Sequence, residues 1–86
     1  MLKSLYQIDS AQKPAVFELV CPEDALLFRQ DGCYLLLQPE NWPTQQLFAL
    51  ATDVTSRQIP VPHTVALIDD LQWVELCCQA KRIIKC

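Results

Sequence analysis

Short apolar runs bounded by polar or turn-forming residues recur along the chain, and such runs are typical of strands that are buried on both faces. The clearest are DALLF, QLFALA and TVALID, and the opening LKSLYQI is also rich in residues suited to a strand. QLFALA and TVALID are each followed by an acidic residue and then by a polar or amphipathic segment. A strand followed by a helix, several times over, predicts an α/β domain with a mainly parallel sheet.

Two segments between these runs are candidate helices. SAQKPAVFELVC offers Ser10 as an N-cap, and this helix is expected to be short because Pro14 is tolerated only in a first turn. CYLLLQ, residues 33–38, fits either a helix or a hairpin strand, since periodicity alone does not separate the two.

The closing segment DDLQWVELCCQAKRIIK predicts a third helix, in which one polar stripe is surrounded by apolar positions. The stripe consists of Gln72, Glu75, Gln79 and Arg82. A helix with so much apolar surface is expected to pack on more than one side. The two aspartates at its start and the basic residues at its end match the helix dipole; they are Asp69, Asp70, Lys81, Arg82 and Lys85.

Composition limits the class of protein. The 86 residues suffice for one domain, and 51% of them are hydrophobic, which is more than so small a globule easily buries. The surplus predicts an apolar surface that faces a partner. A net charge of -3 disfavours direct binding of nucleic acid. Because no signal region or run of about 18 apolar residues is evident, we expect a cytoplasmic protein without a membrane span.

Five cysteines without the spacing of a secreted disulfide framework fit reduced thiols. Cys33 follows an Asp31-Gly32 turn, in which Gly32 is expected to supply a positive φ, at the carboxyl end of a predicted strand. A helix starting there would lower the thiol pKa of Cys33, and Asp31 would oppose this. Packing beneath the turn is the simpler interpretation, because free cysteine is among the most buried residue types. Cys21 is the second candidate carrier of a persulfide, although a nearby helix end disfavours its thiolate.

The remaining candidate groups have simpler interpretations. Cys77 and Cys78 point in different directions on the predicted final helix and are interpreted as core or interface residues. His63 has no metal-ligand neighbour in sequence, and a nucleophilic pair of Cys33 with His63 has no local support. A single glycine excludes the usual nucleotide-binding loops, and no C-x-x-C pair is present, so no cofactor or metal is expected. Acidic residues at strand ends are interpreted as helix caps rather than a cation site: Asp31, Asp53, Asp69 and Asp70.

Several stretches, taken together, resemble the TusB/DsrH family of sulfur-relay proteins. They are MLKSLYQI, ALLFRQDG, LFALATDVTSRQI and VALIDDLQWVELCCQAKRIIK. Their order matches that family: a strand near the first methionine, an apolar strand ending in Gln-Asp-Gly, and an Ile-Asp strand end that leads into a terminal helix. The resemblance covers most of the chain. It implies a single three-layer α/β/α domain over residues 1–86, with a mainly parallel sheet of four to five strands.

The resemblance also implies a function. A TusB/DsrH-like chain is expected to be a mainly structural subunit of a cytoplasmic complex with TusC-like and TusD-like chains, and the active cysteine is expected on the TusD-like partner. Such a complex takes persulfide sulfur from a TusA-like carrier and passes it through a TusE-like protein toward 2-thiouridine at the tRNA wobble position.

Three alternatives stay open. This chain carries the persulfide itself, on Cys33 or Cys21; it serves a Dsr-type relay in sulfur oxidation; or it is an α/β interaction domain unrelated to sulfur. The isolated chain is also a candidate homo-oligomer. DsrH-type members can carry a cysteine in the first helix, and KPAVFELV has none at that place.

Overall fold

Five parallel strands form one sheet in the order β4-β3-β2-β1-β5. The computed structural model describes residues 3–12, 18–37 and 42–85. Its strands are β1 (Ser4–Ile8), β2 (Ala25–Phe28), β3 (Leu47–Leu50), β4 (Ala66–Ile68) and β5 (Arg82–Lys85). Its helices are a 3-10 helix (Gln30–Leu37), α1 (Ala51–Ser56) and α2 (Asp70–Gln79). None of these helices has the length and apolar character needed to cross a membrane.

The central strands are buried on both faces, as the apolar runs predicted. Every residue of β1 and β2 is buried, and Leu5 pairs with Ala25 in the register that joins the two strands. When helices cover both sides of a parallel sheet, neither face of a central strand meets solvent, so both faces carry apolar side chains. The predicted α/β class with a mainly parallel sheet is therefore confirmed.

The connections divide between the two faces of the sheet. The 3-10 helix and α1 pack on one face through a cluster that includes Cys33, Leu36 and Val54. On the opposite face, α2 packs through Leu76, with Trp73 and Cys77 against the same cluster. Strands β1 to β4 follow one another in one direction across the sheet, and β5 then pairs with the opposite edge of β1. Because crossovers between parallel strands are right-handed, the returning helix must lie on the other face, and three layers result.

The end of the closing helix is a correction to the sequence-based prediction. α2 ends at Gln79, and Arg82–Lys85 form β5 rather than further helical turns. Ala80 is already extended, with φ −80 and ψ 140, and the backbone N–H of Lys81 donates to the carbonyl of Lys3 at 3.2 Å. Pairing with β5 satisfies the backbone groups on the edge of β1, which a longer helix would leave without a partner strand. Hence no basic residue lies in the last turn of α2.

The packing of α2 also differs from the prediction. Within the described chain, α2 buries one side chain, Leu76, while Leu71 is 68% exposed and Val74 is 57% exposed. With Cys78, also exposed, these residues follow an i, i+3, i+7 spacing and form an apolar strip that we call the outer α2 stripe. Within its own chain, α2 therefore packs through one of its sides only, and the side that carries the outer α2 stripe is exposed.

The start of α2 is capped as the sequence predicted. The carboxylate of Asp69 accepts a hydrogen bond from the backbone N–H of Gln72 at 2.8 Å, and the Gln72 side chain accepts one from the Asp69 N–H at 3.0 Å. This capping box satisfies two backbone donors that a helix start otherwise leaves free.

Substituting alanine for the capping aspartate, Asp69→Ala, is expected to lower the free energy of unfolding by about 1 kcal/mol, since the cap acceptor is lost. Urea unfolding measures this loss. Asp70→Ala is the matched control, because Asp70 lies in the first turn without capping it; it should cost less than about half as much. Equal losses in the two variants would mean that charge, and not the capping hydrogen bond, stabilises the helix start.

Two segments were uncertain from sequence. Residues 33–37 are helical, as part of the 3-10 helix, so the hairpin alternative for CYLLLQ is wrong. The predicted first helix falls largely on residues 13–17, which include Pro14 and lie outside the described part of the chain. Near its predicted start, the Ser10 hydroxyl accepts a hydrogen bond from the backbone N–H of Gln12 at 3.2 Å.

Candidate functional site

Polar side chains collect at the carboxyl ends of β1 and β2, where ligands bind in open α/β sheets. They form two clusters on opposite faces of the sheet. The Arg57 cluster, on the face of α1, consists of Gln30, Asp31, Asp53 and Arg57. The Arg29 cluster, on the face of α2, consists of Gln7, Asp9, Arg29, Trp73 and Cys77.

The turn after β2 is shaped by close approach of two backbones. A Cβ at Gly32 would lie on the carbonyl oxygen of Ile8 and 2.7 Å from its carbonyl carbon, so only glycine fits there. Gly32 does not have a positive φ; that conformation belongs to Gln30, at φ 49. The sequence-based reason for the glycine is thus wrong, since the constraint is space rather than conformation. The packed turn directs Cys33 into the core.

Cys33 is a buried packing residue. Its side chain is 0% exposed, lies in the core cluster of the α1 face, and its thiol donates to the carbonyl oxygen of Phe28 at 3.5 Å. Burial raises the pKa of Cys33 from 9.0 to about 11, and the negative charges of Asp53 and Asp31 add to the rise, while Arg57 partly offsets it. The expectation that a helix start lowers this pKa is wrong, because burial dominates.

The ion pairs and hydrogen bonds of the Arg57 cluster link α1 to the start of the 3-10 helix. Arg57 lies 3.2 Å from a carboxylate oxygen of Asp31 and 3.9 Å from one of Asp53. Asp53 also accepts a hydrogen bond from the backbone N–H of Gln30 at 2.8 Å, which supports the positive φ of that residue. The two aspartates thus have structural partners. No group of three or more potential metal ligands occurs within the described ranges.

The sequence-derived candidates do not come together. Cys21 precedes β2 and Cys33 follows it, so the two lie at opposite ends of that strand. Cys21 is partly exposed, and its backbone N–H donates to Asp24 at 2.8 Å. His63 precedes β4 at the amino end of the sheet, away from Cys33. A persulfide on Cys33 or Cys21 stays a prediction, and neither thiol has a catalytic partner among the described residues.

Sequence reasoning missed the Arg29 cluster. The guanidinium of Arg29 donates to Gln7 at 3.2 Å, lies 3.5 Å from a carboxylate oxygen of Asp9, and stacks 4.2 Å from the centroid of the Trp73 ring. The amide of Gln7 also donates a weak hydrogen bond to the sulfur of Cys77 at 3.8 Å. A polar Gln7 within an apolar strand was the available signal. A buried glutamine requires partners, and here these are an arginine and a cysteine.

Three atoms of this cluster are buried without a hydrogen-bond partner in the described part of the chain. They are Arg29 Nε, Trp73 Nε1 and Asp9 Oδ1. Buried polar groups are nearly always satisfied, so each such atom calls for an explanation. Two of the three, Arg29 Nε and Trp73 Nε1, are hydrogen-bond donors, and the third is a carboxylate oxygen, which accepts.

Comparison with known families matches residues 4–83 to the family described as DsrH like protein. The chain belongs to this DsrH-like family. The match covers nearly the whole sequence, and it confirms the resemblance drawn from the quoted motifs. A search among curated proteins found no match. Membership in the DsrH-like family supports a general role in sulfur relay, as part of a sulfur-relay complex.

Proposed function

We propose that this DsrH-like chain is a mainly structural subunit of a cytoplasmic TusBCD-like complex, which supports persulfide transfer toward 2-thiouridine at the tRNA wobble position. Family membership supports the relay role. The burial of Cys33, with its raised pKa, favours placing the main sulfur carrier on a partner. TusC-like and TusD-like chains of similar fold are the proposed partners, and TusA-like and TusE-like carriers the proposed donor and acceptor.

The observation that carries this proposal is the outer α2 stripe. Leu71 and Val74 are more than half exposed, although a chain of this size gains stability from every apolar group it buries. Exposed apolar side chains that form a contiguous patch mark interaction sites, whereas scattered single ones carry no such meaning. The stripe therefore fits a subunit whose α2 is covered in its complex.

A lysine placed in the stripe, Val74→Lys, is expected to weaken association with the co-expressed TusC-like and TusD-like chains by at least about tenfold, because a charge would be buried without a partner. Co-purification followed by analytical ultracentrifugation measures this. Gln79→Lys adds the same charge on the polar side of α2 and is the matched control. Both positions are exposed, so neither change should move the unfolding midpoint of the isolated chain.

Equal binding by wild type and Val74→Lys would place the interface elsewhere on the chain. Failure of any chain of similar fold to co-purify would favour an interaction domain unrelated to sulfur. Deleting the gene and measuring wobble 2-thiouridine separates the tRNA branch from sulfur oxidation: loss of the modified base supports the former, and an unchanged level supports a Dsr-type relay.

A further inference from the structure

The Arg29 cluster occupies the point of the sheet where the strand order reverses. β1 lies between β2 and β5, and the connections change from one face to the other at this place. Crevices at the carboxyl ends of strands near such a switch point are the usual ligand sites of open α/β sheets. Gln7 projects from β1 toward α2 at this point and is only 3% exposed. A group bound there would face both the sheet and α2.

Cys77 is the thiol that contacts the Arg29 cluster. It lies one helical turn after Trp73 on the same side of α2, and it is partly exposed. The Gln7 amide donates to its sulfur at 3.8 Å, so a buried polar group is directed at the thiol. Cys78, the next residue, belongs to the outer α2 stripe, lies about 100° further round the helix and is exposed. The two adjacent thiols therefore differ sharply in surroundings.

The surroundings of Cys77 favour an anion. Arg29, whose side chain is 16% exposed, is held in place by Gln7, Asp9 and the Trp73 ring, yet its Nε and the indole N–H of Trp73 have no acceptor among the described residues. Lys85 is the register partner of Gln7 on β5, so a second basic residue lies on the neighbouring strand. Asp9 offsets part of the Arg29 charge. The Gln7 amide accepts from Arg29 and donates to the Cys77 sulfur, so a positive charge lies next to the hydrogen bond that the sulfur accepts.

We propose that Cys77 accepts sulfane sulfur from a persulfide donor, and that Gln7, Arg29 and Trp73 hold the persulfide formed. This inference rests on the proposed function and adds a sulfur-accepting residue to a chain otherwise assigned a structural role. The Cys77 thiol loses its proton to solvent, and its sulfur attacks the outer sulfur of R–S–SH. A bond forms between Cys77 Sγ and that sulfur, the S–S bond of the donor breaks, and RS⁻ leaves with the electron pair and takes up a proton. Cys77–S–SH and R–SH result, without any oxidant or reductant.

Glutathione persulfide supplied to the full chain tests the proposal. After blocking of free thiols, peptide mass spectrometry locates the added sulfur atom. We expect the adduct on Cys77, its loss in Cys77→Ser, and its retention in the matched control Cys78→Ser. In Gln7→Leu the rate of adduct formation should fall at least about tenfold, since a hydrogen bond to a charged group is removed. Thermal unfolding of each variant establishes that it is folded.

An adduct found on any of the other four cysteines, or no adduct on the folded chain, overturns the assignment to Cys77. So does a Gln7→Leu variant that forms the adduct at the wild-type rate. The proposed function has a separate test, because co-purification with chains of similar fold does not depend on which thiol takes up sulfur. A complex that assembles normally with Cys77→Ser and carries sulfur only on a partner would refute this inference and leave the structural role intact.

Discussion

Replacing Gly32 by alanine is expected to destabilise the protein by about 3 kcal/mol. The added methyl group would meet backbone, namely the carbonyl group of Ile8, and not the end of a flexible side chain. That carbonyl is fixed on both sides, because Ile8 ends a central strand and its oxygen accepts a hydrogen bond from the N–H of Arg29 at 3.0 Å. Relief of the overlap therefore has to move the 3-10 helix away from β1. For a chain of 86 residues this is a large part of the total stability.

Urea unfolding followed by circular dichroism measures the loss, and Gln30→Gly is the matched control in the same turn. Gln30 has the positive φ, so glycine there relieves left-handed strain while making the unfolded chain more flexible. The two effects nearly cancel, and a change within about 1 kcal/mol is expected. A Gly32→Ala protein as stable as wild type would show that the two backbones separate at little cost.

The strands were predictable because their signal is local. Residues 25–28 are entirely apolar and are buried on both faces, and the same correspondence holds for most of β1 and β3. The Asp69 cap was equally predictable, since a capping box needs only residues that lie within one turn of each other. Features of this kind are fixed by a few neighbouring residues.

β5 was not predictable from periodicity. Ile83 and Ile84 continue the apolar pattern of α2 without a break, and no glycine or proline marks the change from helix to strand. What decides the outcome is the unoccupied edge of β1, which lies about eighty positions earlier and offers a row of backbone partners. Tertiary context overrides helix propensity at this point.

The Arg29 cluster shows the same limit for a site. Gln7 and Cys77 are joined by a hydrogen bond across seventy positions of sequence, and Arg29 reaches Trp73 only because α2 crosses back over β1 and β2. Sequence inspection weighed each cysteine by its neighbours along the chain. For that reason it favoured Cys33, which follows a turn, and assigned Cys77 to the core or to an interface.

Alkaline pH should destabilise this protein through Cys33. The folded chain keeps the thiol protonated, since burial above all raises its pKa from 9.0 to about 11. Between those values the unfolded chain releases a proton that the folded chain retains, so the unfolded state is favoured as pH rises. The contribution is fully present below pH 9 and is lost as pH approaches 11. Its total is about 2 to 3 kcal/mol.

The comparison with Cys33→Ala isolates this contribution from every other pH-dependent contribution to stability. Urea unfolding at intervals from pH 7 to pH 11 gives both stability curves. Alanine lowers stability at neutral pH because it leaves a small cavity and removes the contact with the Phe28 carbonyl. We expect the two curves to converge above pH 9, since only the wild type loses stability as this thiol ionises. Curves that stay parallel would show that Cys33 is reached by solvent, and a thiolate could then form there in the folded chain. That result would return Cys33 to the sulfur-carrying candidates and weaken the case for Cys77.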